Sequence, residues 1–260
     1  KTLIPSSKQN LIYYNFTKDE NCSKIAGYYS RYIFDDSKGI LCNFLILDLK
    51  KQKFLDPVPF YLDSYKKASN FIPDDEGNFW FTSILKGDNE QETSVLYKYD
   101  ASTNKIIETD IKLNTHENQV YNYHSGWSGT ENFEVVCANS DYLFIYNNPT
   151  DNIKDKKLLL INNKENLTLE NTIVVNSTNE KDNFRKIIKL NGEVFLFYYS
   201  FEDKCVRIKK FNVNDGSFVL YENAKYYGGH LDNFRYRDGK LFIFDGYGTP
   251  LEMNLSDDTV

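Results

Sequence analysis

LDNFRYRDGKLFIFDGYG (residues 231–248) places an Asn-Phe pair before a short charged strand, which an Asp-Gly turn joins to an apolar strand. Two short strand-like runs around an Asp-Gly turn are typical of a β-hairpin. Nearly the same order occurs four more times along the 260 residues. A hairpin repeated in this way indicates that one small structural unit builds the whole chain.

The repeated unit is about fifty residues long. Its Asn-Phe pairs begin at Asn15, Asn70, Asn132, Asn183 and Asn233. Successive units therefore start 55, 62, 51 and 50 residues apart. A second hairpin with a polar turn follows each of the first four, as in VLYKYDASTNKIIE (95–108). Four strands in two hairpins are typical of a propeller blade, and the spacing is close to known propeller periods.

The sequence therefore predicts an all-β fold, a β-propeller of five four-stranded blades that forms a single domain over residues 1–260. Residues 233–260 supply three strands of the last blade, and the N-terminal strand within residues 2–13 would supply the fourth and close the ring. Closure removes exposed sheet edges. The predicted blades cover residues 15–56, 70–108, 132–175, 183–222, and 233–260 plus 2–13. A β-sandwich with a coincidental period is the alternative architecture.

Composition excludes several classes of function. The net charge of -6, from 37 acidic and 31 basic residues, argues against a nucleic-acid partner. The sequence contains no apolar run long enough for a membrane span. Four scattered cysteines form no CxxC pair, which disfavours structural zinc and leaves any disulfide pairing open. The chain opens KTLIPSS without Met, and we expect a trimmed chain or a processed, exported protein.

One blade carries a family resemblance. DDEGNFWFTSI (74–84) followed by VLYKYDASTNKII (95–107) resembles a blade of the streptogramin-lyase and two-component-regulator propellers, whose repeats have Asp-Gly-Asn, Trp-Phe and Tyr-Asp in this order. The other units share the pattern only in outline, because they lack the Trp. The resemblance implies the propeller fold. It transfers no catalytic residue, because the chain shows no matching pattern of histidine and acid.

The repeated asparagines are the first candidate site. In a propeller the first strand of each blade lines the central channel, so Asn15, Asn70, Asn132, Asn183 and Asn233 would ring one mouth of the channel, on the top face. Their amides could bind water, a sugar hydroxyl or a hard cation. The alternative is that each Asn stabilises its own turn while the Phe packs between blades. We predict no cofactor and no metal, and no motif supports a Ca²⁺ ion in the channel.

Two irregular loops are the second candidate. NTHENQVYNYHSGWSG (114–129) and YYGGH (226–230) would both lie on the top face. A loop of this length in a compact domain is usually functional or disordered. Together they supply the remaining predicted ligand-binding residues, Tyr123, His124, Trp127, Tyr227 and His230. Aromatic rings beside amides and histidines suit a glycan or a protein partner.

Two functions follow from these residues. The chain shows no nucleophile, phosphate-loop or Cys-His motif, so we expect a non-enzymatic binding module whose aromatic and His-lined top face meets a protein or glycan partner. The alternative is a carbohydrate-active enzyme or lectin on the same ring, for which Asp182 and Asp232 are the acids nearest the channel. A scaffold role in a larger assembly is the third hypothesis.

Overall fold

The computed structural model describes residues 17–18, 23–35, 39–62, 68–69, 71–86, 92–114, 132–148, 156–163, 167–176, 182–190, 193–212, 217–227, 233–237, 240–244 and 250–254. Every regular element in these ranges is a β-strand. No helix that could span a membrane occurs in them. The predicted all-β class is therefore confirmed.

The described strands form five antiparallel sheets in chain order. Sheet 1 contains β1 (Thr17–Lys18), β2 (Lys24–Asp35), β3 (Gly39–Asp48), β4 (Lys53–Phe54) and β5 (Val58–Leu62). Sheet 2 contains β6 (Ile72–Pro73), β7 (Phe79–Lys86), β8 (Glu92–Asp100) and β9 (Lys105–Asn114). Sheet 3 contains β10 (Asn132–Ala138), β11 (Tyr142–Asn148), β12 (Lys156–Asn162) and β13 (Leu169–Asn176). Sheet 4 contains β14 (Asp182–Leu190), β15 (Glu193–Ser200), β16 (Cys205–Asn212) and β17 (Ser217–Tyr226), and sheet 5 contains β18 (Asn233–Arg237), β19 (Lys240–Phe244) and β20 (Pro250–Asn254).

Sheets 2, 3 and 4 are simple meanders of four strands, whereas the outer edge of sheet 1 is interrupted. There β3 pairs with β4 at one end, Leu47 opposite Phe54, and with β5 at the other, Ile40 opposite Leu62. Pro57 lies between the two short strands and has no N–H to donate to the ladder. The outer edge of sheet 1 continues through β5 to Leu62. The sequence had placed the end of the first blade at residue 56.

Sheets 2, 3 and 4 each bury both of their faces. In β7 the side chains of Phe79 and Phe81 pack toward sheet 1, while Trp80 between them packs toward sheet 3. All three are essentially inaccessible to solvent. Successive residues of a strand point to opposite faces, so a strand with a sheet on each side needs an uninterrupted apolar run. The FWF run of residues 79–81 meets that need.

Four hydrophobic cores lie between successive sheets. The core between sheets 1 and 2 is aromatic, with the rings of Phe44 and Phe71 centred 4.9 Å apart and those of Phe71 and Phe81 4.8 Å apart. The next core, between sheets 2 and 3, surrounds Trp80. Between sheets 3 and 4, Phe144 meets Phe211 edge to face at 4.9 Å. The last core joins sheet 4 to Leu241 and Ile243 of sheet 5.

The turn between β6 and β7 is built on a buried carboxylate. Asp74 Oδ1 accepts the backbone N–H groups of Glu76 and Asn78, each at 2.9 Å. Its Oδ2 accepts Asn78 Nδ2 and Trp80 Nε1, also at 2.9 Å. Gly77 completes the turn at a φ of 83°, in the left-handed region that favours glycine. The acidic run 74–76 is thus explained by turn structure, as turn chemistry in the sequence indicated.

Phe44→Ala tests the importance of the core between the first two sheets. Phe44 is 1% exposed and contacts four other rings, so truncation should lower the free energy of unfolding by about 3 to 5 kcal/mol. Val219→Ala is the control, because Val219 is 55% exposed and should change stability by less than about 0.5 kcal/mol. Urea unfolding measures both values, and equal losses in the two variants would contradict the packing described above.

Candidate functional site

The first strands of the sheets begin on one side of the molecule, which we term the top face. In sheet 3 the first residue of β10, Asn132, pairs with Asn148 at the end of β11. In sheet 4 Asp182 pairs with Ser200 in the same way. Strand β10 lies beside both β6 and β14, so the first strands of sheets 2, 3 and 4 are neighbours. The opposite side, the bottom face, carries the turns that join first and second strands.

The described asparagines of the predicted ring occur where first strands begin. Asn132 is the first residue of β10, Asn183 the second of β14 and Asn233 the first of β18. Asn15 and Asn70 lie outside the described residues. The phenylalanine after the Asn is buried in the two units where its side chain is described: Phe71 packs against sheet 1 and Phe133 against sheet 2.

Of the predicted loop residues, the structure describes Tyr227 alone. It follows β17 on the top face and is 72% exposed. The other predicted loop residues, Tyr123, His124, Trp127 and His230, lie outside the described residues, as does Asp232. For Asp182 the backbone pairing with Ser200 is described.

Two further exposed aromatic residues were missed by sequence reasoning. Phe201, in the turn between β15 and β16, is 54% exposed, and Tyr61, near the end of β5, is 36% exposed. Both belong to the top face, because Ser200 pairs with Cys205 there and Leu62 pairs with Ile40 at the start of β3. Among the side chains whose exposure the structure describes, the exposed aromatic rings therefore all lie on this one face. The signal for Phe201 was its place between an apolar strand and the polar residues 202–204.

A polar cluster in sheet 4 lies close in the chain to Phe201 and Tyr227. Arg207 is 4% exposed, and its Nη1 donates to Asp203 Oδ2 at 2.5 Å. Its Nη2 donates to the backbone carbonyl of Glu222 at 3.1 Å. Lys225 Nζ donates to the other oxygen of Asp203 at 3.3 Å. We name Asp203, Arg207, Glu222 and Lys225 the Arg207 cluster.

The Arg207 cluster fixes an irregularity in β17. Arg207 pairs with Lys225, but Lys209, only two residues on, pairs with Leu220. Residues 221–224 of the outer strand therefore lie opposite Ile208 alone, an excess of three residues that forms a bulge. The bond from Arg207 to the Glu222 carbonyl stabilises this bulge. Bulges reorient side chains and are common beside binding sites.

The charges of the cluster influence its acid. Hydrogen bonding from Arg207 lowers the pKa of Asp203 from its usual 3.8, with further contributions from Lys225, and partial burial opposes them. Asp203 is therefore ionised at neutral pH. An ionised Asp203 holds the turn that carries Phe201 against β16.

A cavity of about 290 Å³ lies where the first strands of sheets 2, 3 and 4 meet. Its lining is mainly apolar and consists of Ile72, Pro73, Val136, Cys137, Ala138, Lys186, Ile187, Ile188 and Lys189. On the bottom face Lys189 Nζ donates to Asp75 Oδ1 at 2.7 Å, and Ser140 N donates to Asp75 Oδ2 at 3.1 Å. Asp75 of sheet 2 thus links the bottom ends of all three sheets.

The described thiols and acids offer the site little nucleophilic or metal-binding chemistry. Cys42, Cys137 and Cys205 are buried, and burial raises the pKa of Cys42 to about 12 and also raises that of Cys205. Thiols at these two positions stay protonated at neutral pH and are poor nucleophiles and ligands. The described ranges contain no group of three or more His, Cys, Asp or Glu side chains that could bind a metal. All three histidines lie outside those ranges.

Comparison with known proteins bears on the fold. No protein-family model matches the chain, and no curated protein sequence matches it. An oligogalacturonate lyase solved in complex with manganese is similar, with a TM-score of 0.52 at 10% identity over 94% of this chain and 65% of that chain. Prolyl endopeptidases give 0.48 at 10% identity, over 90% and 32%. The β-propeller domain of the trilobed protease from Pyrococcus furiosus gives 0.38 at 11% identity, over 94% and 83%.

The oligogalacturonate lyase is a β-propeller, and the fold of this chain is a β-propeller in the general sense. The chain spans 65% of the length of the lyase chain and 32% of the endopeptidase chain. At identities near 10%, structural similarity indicates a shared fold and does not indicate a shared activity. The streptogramin-lyase type indicated by residues 74–107 stays a resemblance of one blade.

Asp203→Asn should change how stability depends on pH. The folded pKa of Asp203 is lower than its unfolded value, so the carboxylate stabilises the fold above about pH 4 and loses this effect as the pH falls through the folded pKa. We expect wild type to be more stable than the variant at neutral pH and the difference to shrink in acid, by urea unfolding between about pH 7 and pH 3. Asp110→Asn, at an exposed position in β9, controls for the lost charge. A constant difference across the range would contradict the pairing.

Proposed function

We propose that this chain is a carbohydrate-binding β-propeller whose site lies on the top face. The observation that carries the proposal is the placement of the exposed aromatic rings Tyr61, Phe201 and Tyr227 on that face. Apolar outward positions elsewhere are aliphatic, Ile107 in β9 and Val219 in β17. Large flat rings exposed together on one side of a rigid scaffold are typical of recognition surfaces.

The chemistry of such a face suits a sugar. One side of a pyranose ring presents C–H groups that pack on an aromatic ring, while its hydroxyls require amide, carboxylate or ammonium partners. Under this proposal the ring asparagines Asn15, Asn70, Asn132, Asn183 and Asn233 and the loop residues Tyr123, His124, Trp127 and His230 belong to the same site. They would supply the polar contacts and further stacking around Phe201 and Tyr227.

Fold analogy adds support for a carbohydrate ligand over a protein partner. The similar structure with the TM-score of 0.52 belongs to a lyase named for oligogalacturonate, an oligosaccharide. Of the two functions expected from the sequence, this favours the carbohydrate-active enzyme or lectin over a non-enzymatic module that binds protein. We propose binding alone and assign no catalytic residue.

We also propose that the ring has five blades and is closed by residues 2–13 beside β20. Sheet 5 has three described strands, and its outer strand β20 pairs with β19. Leu45 supports closure from the other end of the chain. It is 7% exposed, yet it alternates with Phe44 and Ile46, which face sheet 2. Its face of sheet 1 therefore requires a cover, which sheet 5 would supply in a closed ring.

Removal of residues 1–13 tests closure. If these residues complete sheet 5, their loss exposes the edge of β20 and should lower the midpoint of urea unfolding of the whole domain. Removal of residues 255–260, beyond β20, is the control and should leave the midpoint nearly unchanged. An unaffected midpoint after the N-terminal deletion would overturn closure by this segment.

Oligosaccharide binding tests the function itself. A ligand that binds only the folded state should raise Tm in proportion to the logarithm of its concentration, in a panel of neutral and acidic oligosaccharides. Phe201→Ala and Tyr227→Ala should each weaken the affinity about five- to tenfold, because each removes an aromatic contact worth about 1 kcal/mol or slightly more. Val219→Ala, equally exposed but outside the face, should leave affinity unchanged.

The proposal fails if no oligosaccharide raises Tm. It also fails if the Val219→Ala control weakens binding as much as the two aromatic variants do. Isothermal titration calorimetry on each variant supplies the affinities, and the Tm without ligand shows that each variant is folded.

A further inference from the structure

One exposed ammonium group lies close in the chain to both exposed rings of sheet 4. Lys225 precedes Tyr227 by two residues, and its partner Asp203 follows Phe201 by two residues. The side chain of Lys225 is 39% exposed and that of Asp203 is 30% exposed. Lys225 therefore reaches the surface beside the aromatic part of the top face.

The charge of Lys225 is only weakly compensated. Asp203 forms its short bond, 2.5 Å, with the buried Arg207, and its distance to Lys225 is 3.3 Å. Glu222 is the other acid of the cluster, but its carboxylate lies 3.5 Å from Arg207 with a side chain 77% exposed. Solvent screens such an acid strongly. The less exposed members, Arg207, Asp203 and Lys225, thus carry one positive charge in excess.

The cluster also has unused hydrogen-bonding capacity. An ammonium group has three N–H donors, and Lys225 directs one of them to Asp203. Arg207 Nε is buried and makes no hydrogen bond. Buried donors without an acceptor are rare and costly, and an acceptor from a bound group is one explanation for them. Both observations indicate that the cluster accommodates an additional acceptor.

The bulge in β17 determines where these groups are placed. Residues 221–224 lie opposite Ile208 alone, and the bond from Arg207 to the Glu222 carbonyl stabilises this bulge. The same guanidinium holds Asp203 and thereby the turn bearing Phe201. Arg207 is thus a positioning residue, which holds both the turn that bears Phe201 and the strand end that bears Lys225 and Tyr227.

We propose that the top face of sheet 4 binds an acidic sugar, with Lys225 donating to the sugar carboxylate while Phe201 and Tyr227 pack against the ring. This assignment rests on the proposed carbohydrate-binding function and adds the class of ligand. The protein as a whole carries a charge of -6, which repels anions. Recognition of a uronate must therefore come from this local excess of positive charge. A neutral sugar would leave Lys225 with Asp203 as its main partner.

The test compares one oligosaccharide in charged and neutral forms. Trigalacturonate and its methyl ester differ in the carboxylates alone, and calorimetry at low ionic strength gives both affinities. Wild type should bind the acid at least about tenfold more tightly, the effect of one hydrogen bond between charged groups. Lys225→Gln should bring the ratio close to one. Lys105→Gln, at an exposed position in β9, should keep the ratio.

The outcomes separate this inference from the function on which it rests. Equal wild-type affinities for acid and ester, or binding of neutral oligosaccharides alone, would overturn the acidic-sugar assignment and leave carbohydrate binding standing. A preference for the acid that survives in Lys225→Gln would overturn the role of Lys225. If no oligosaccharide of either kind binds, the proposed function fails as well. Phe201→Ala should weaken acid and ester alike, because the ring contact does not depend on charge.

Discussion

Apolar packing between successive sheets is the constraint on which the rest of this structure depends. A sheet with a neighbour on each side has no face for water, so its inner strands must be apolar at consecutive positions. Residues 79–81 show the result, with two rings directed to one neighbour and the indole to the other. Burying such strands supplies most of the favourable free energy of folding, and it leaves polar chemistry to strand ends and turns.

The two ends of the sheets use their polar residues differently. On the bottom face, Asp74 satisfies the N–H groups of its own turn and of Trp80, while Asp75 links three sheets through Lys189 and Ser140. The carboxylates of Asp74 and Asp75 therefore have structural partners. On the top face, Arg207 neutralises the charge of Asp203. The partly exposed Lys225 remains accessible to solvent near Phe201 and Tyr227 in the chain. The difference favours the top face as the place of the proposed binding.

Rigid placement connects this packing to the proposed function. Phe201 lies in a turn held by Asp203, and Tyr227 follows a strand whose bulge is held by Arg207. Both elements belong to a sheet covered on each side by hydrophobic cores. A ring fixed before the ligand arrives loses little conformational entropy on binding, which favours affinity. The Arg207 cluster therefore relates the stability of sheet 4 to the binding proposed for its upper edge.

The sequence by itself determined the all-β class and the repeat, because hairpins are local and their turn residues and apolar runs are contiguous in the chain. It also indicated that the Phe after the repeated Asn packs between sheets, as Phe71 and Phe133 do, and that residues 74–76 form a turn. Only the tertiary structure decided that Asp75 meets Lys189, 114 residues away. The same is true of the Arg207 cluster, since a register shift between β16 and β17 places Arg207 opposite Lys225 and no local pattern encodes that shift. Pairing between strands depends on how whole strands align. A bulge changes that alignment, and no residue pattern in either strand of this pair indicates it.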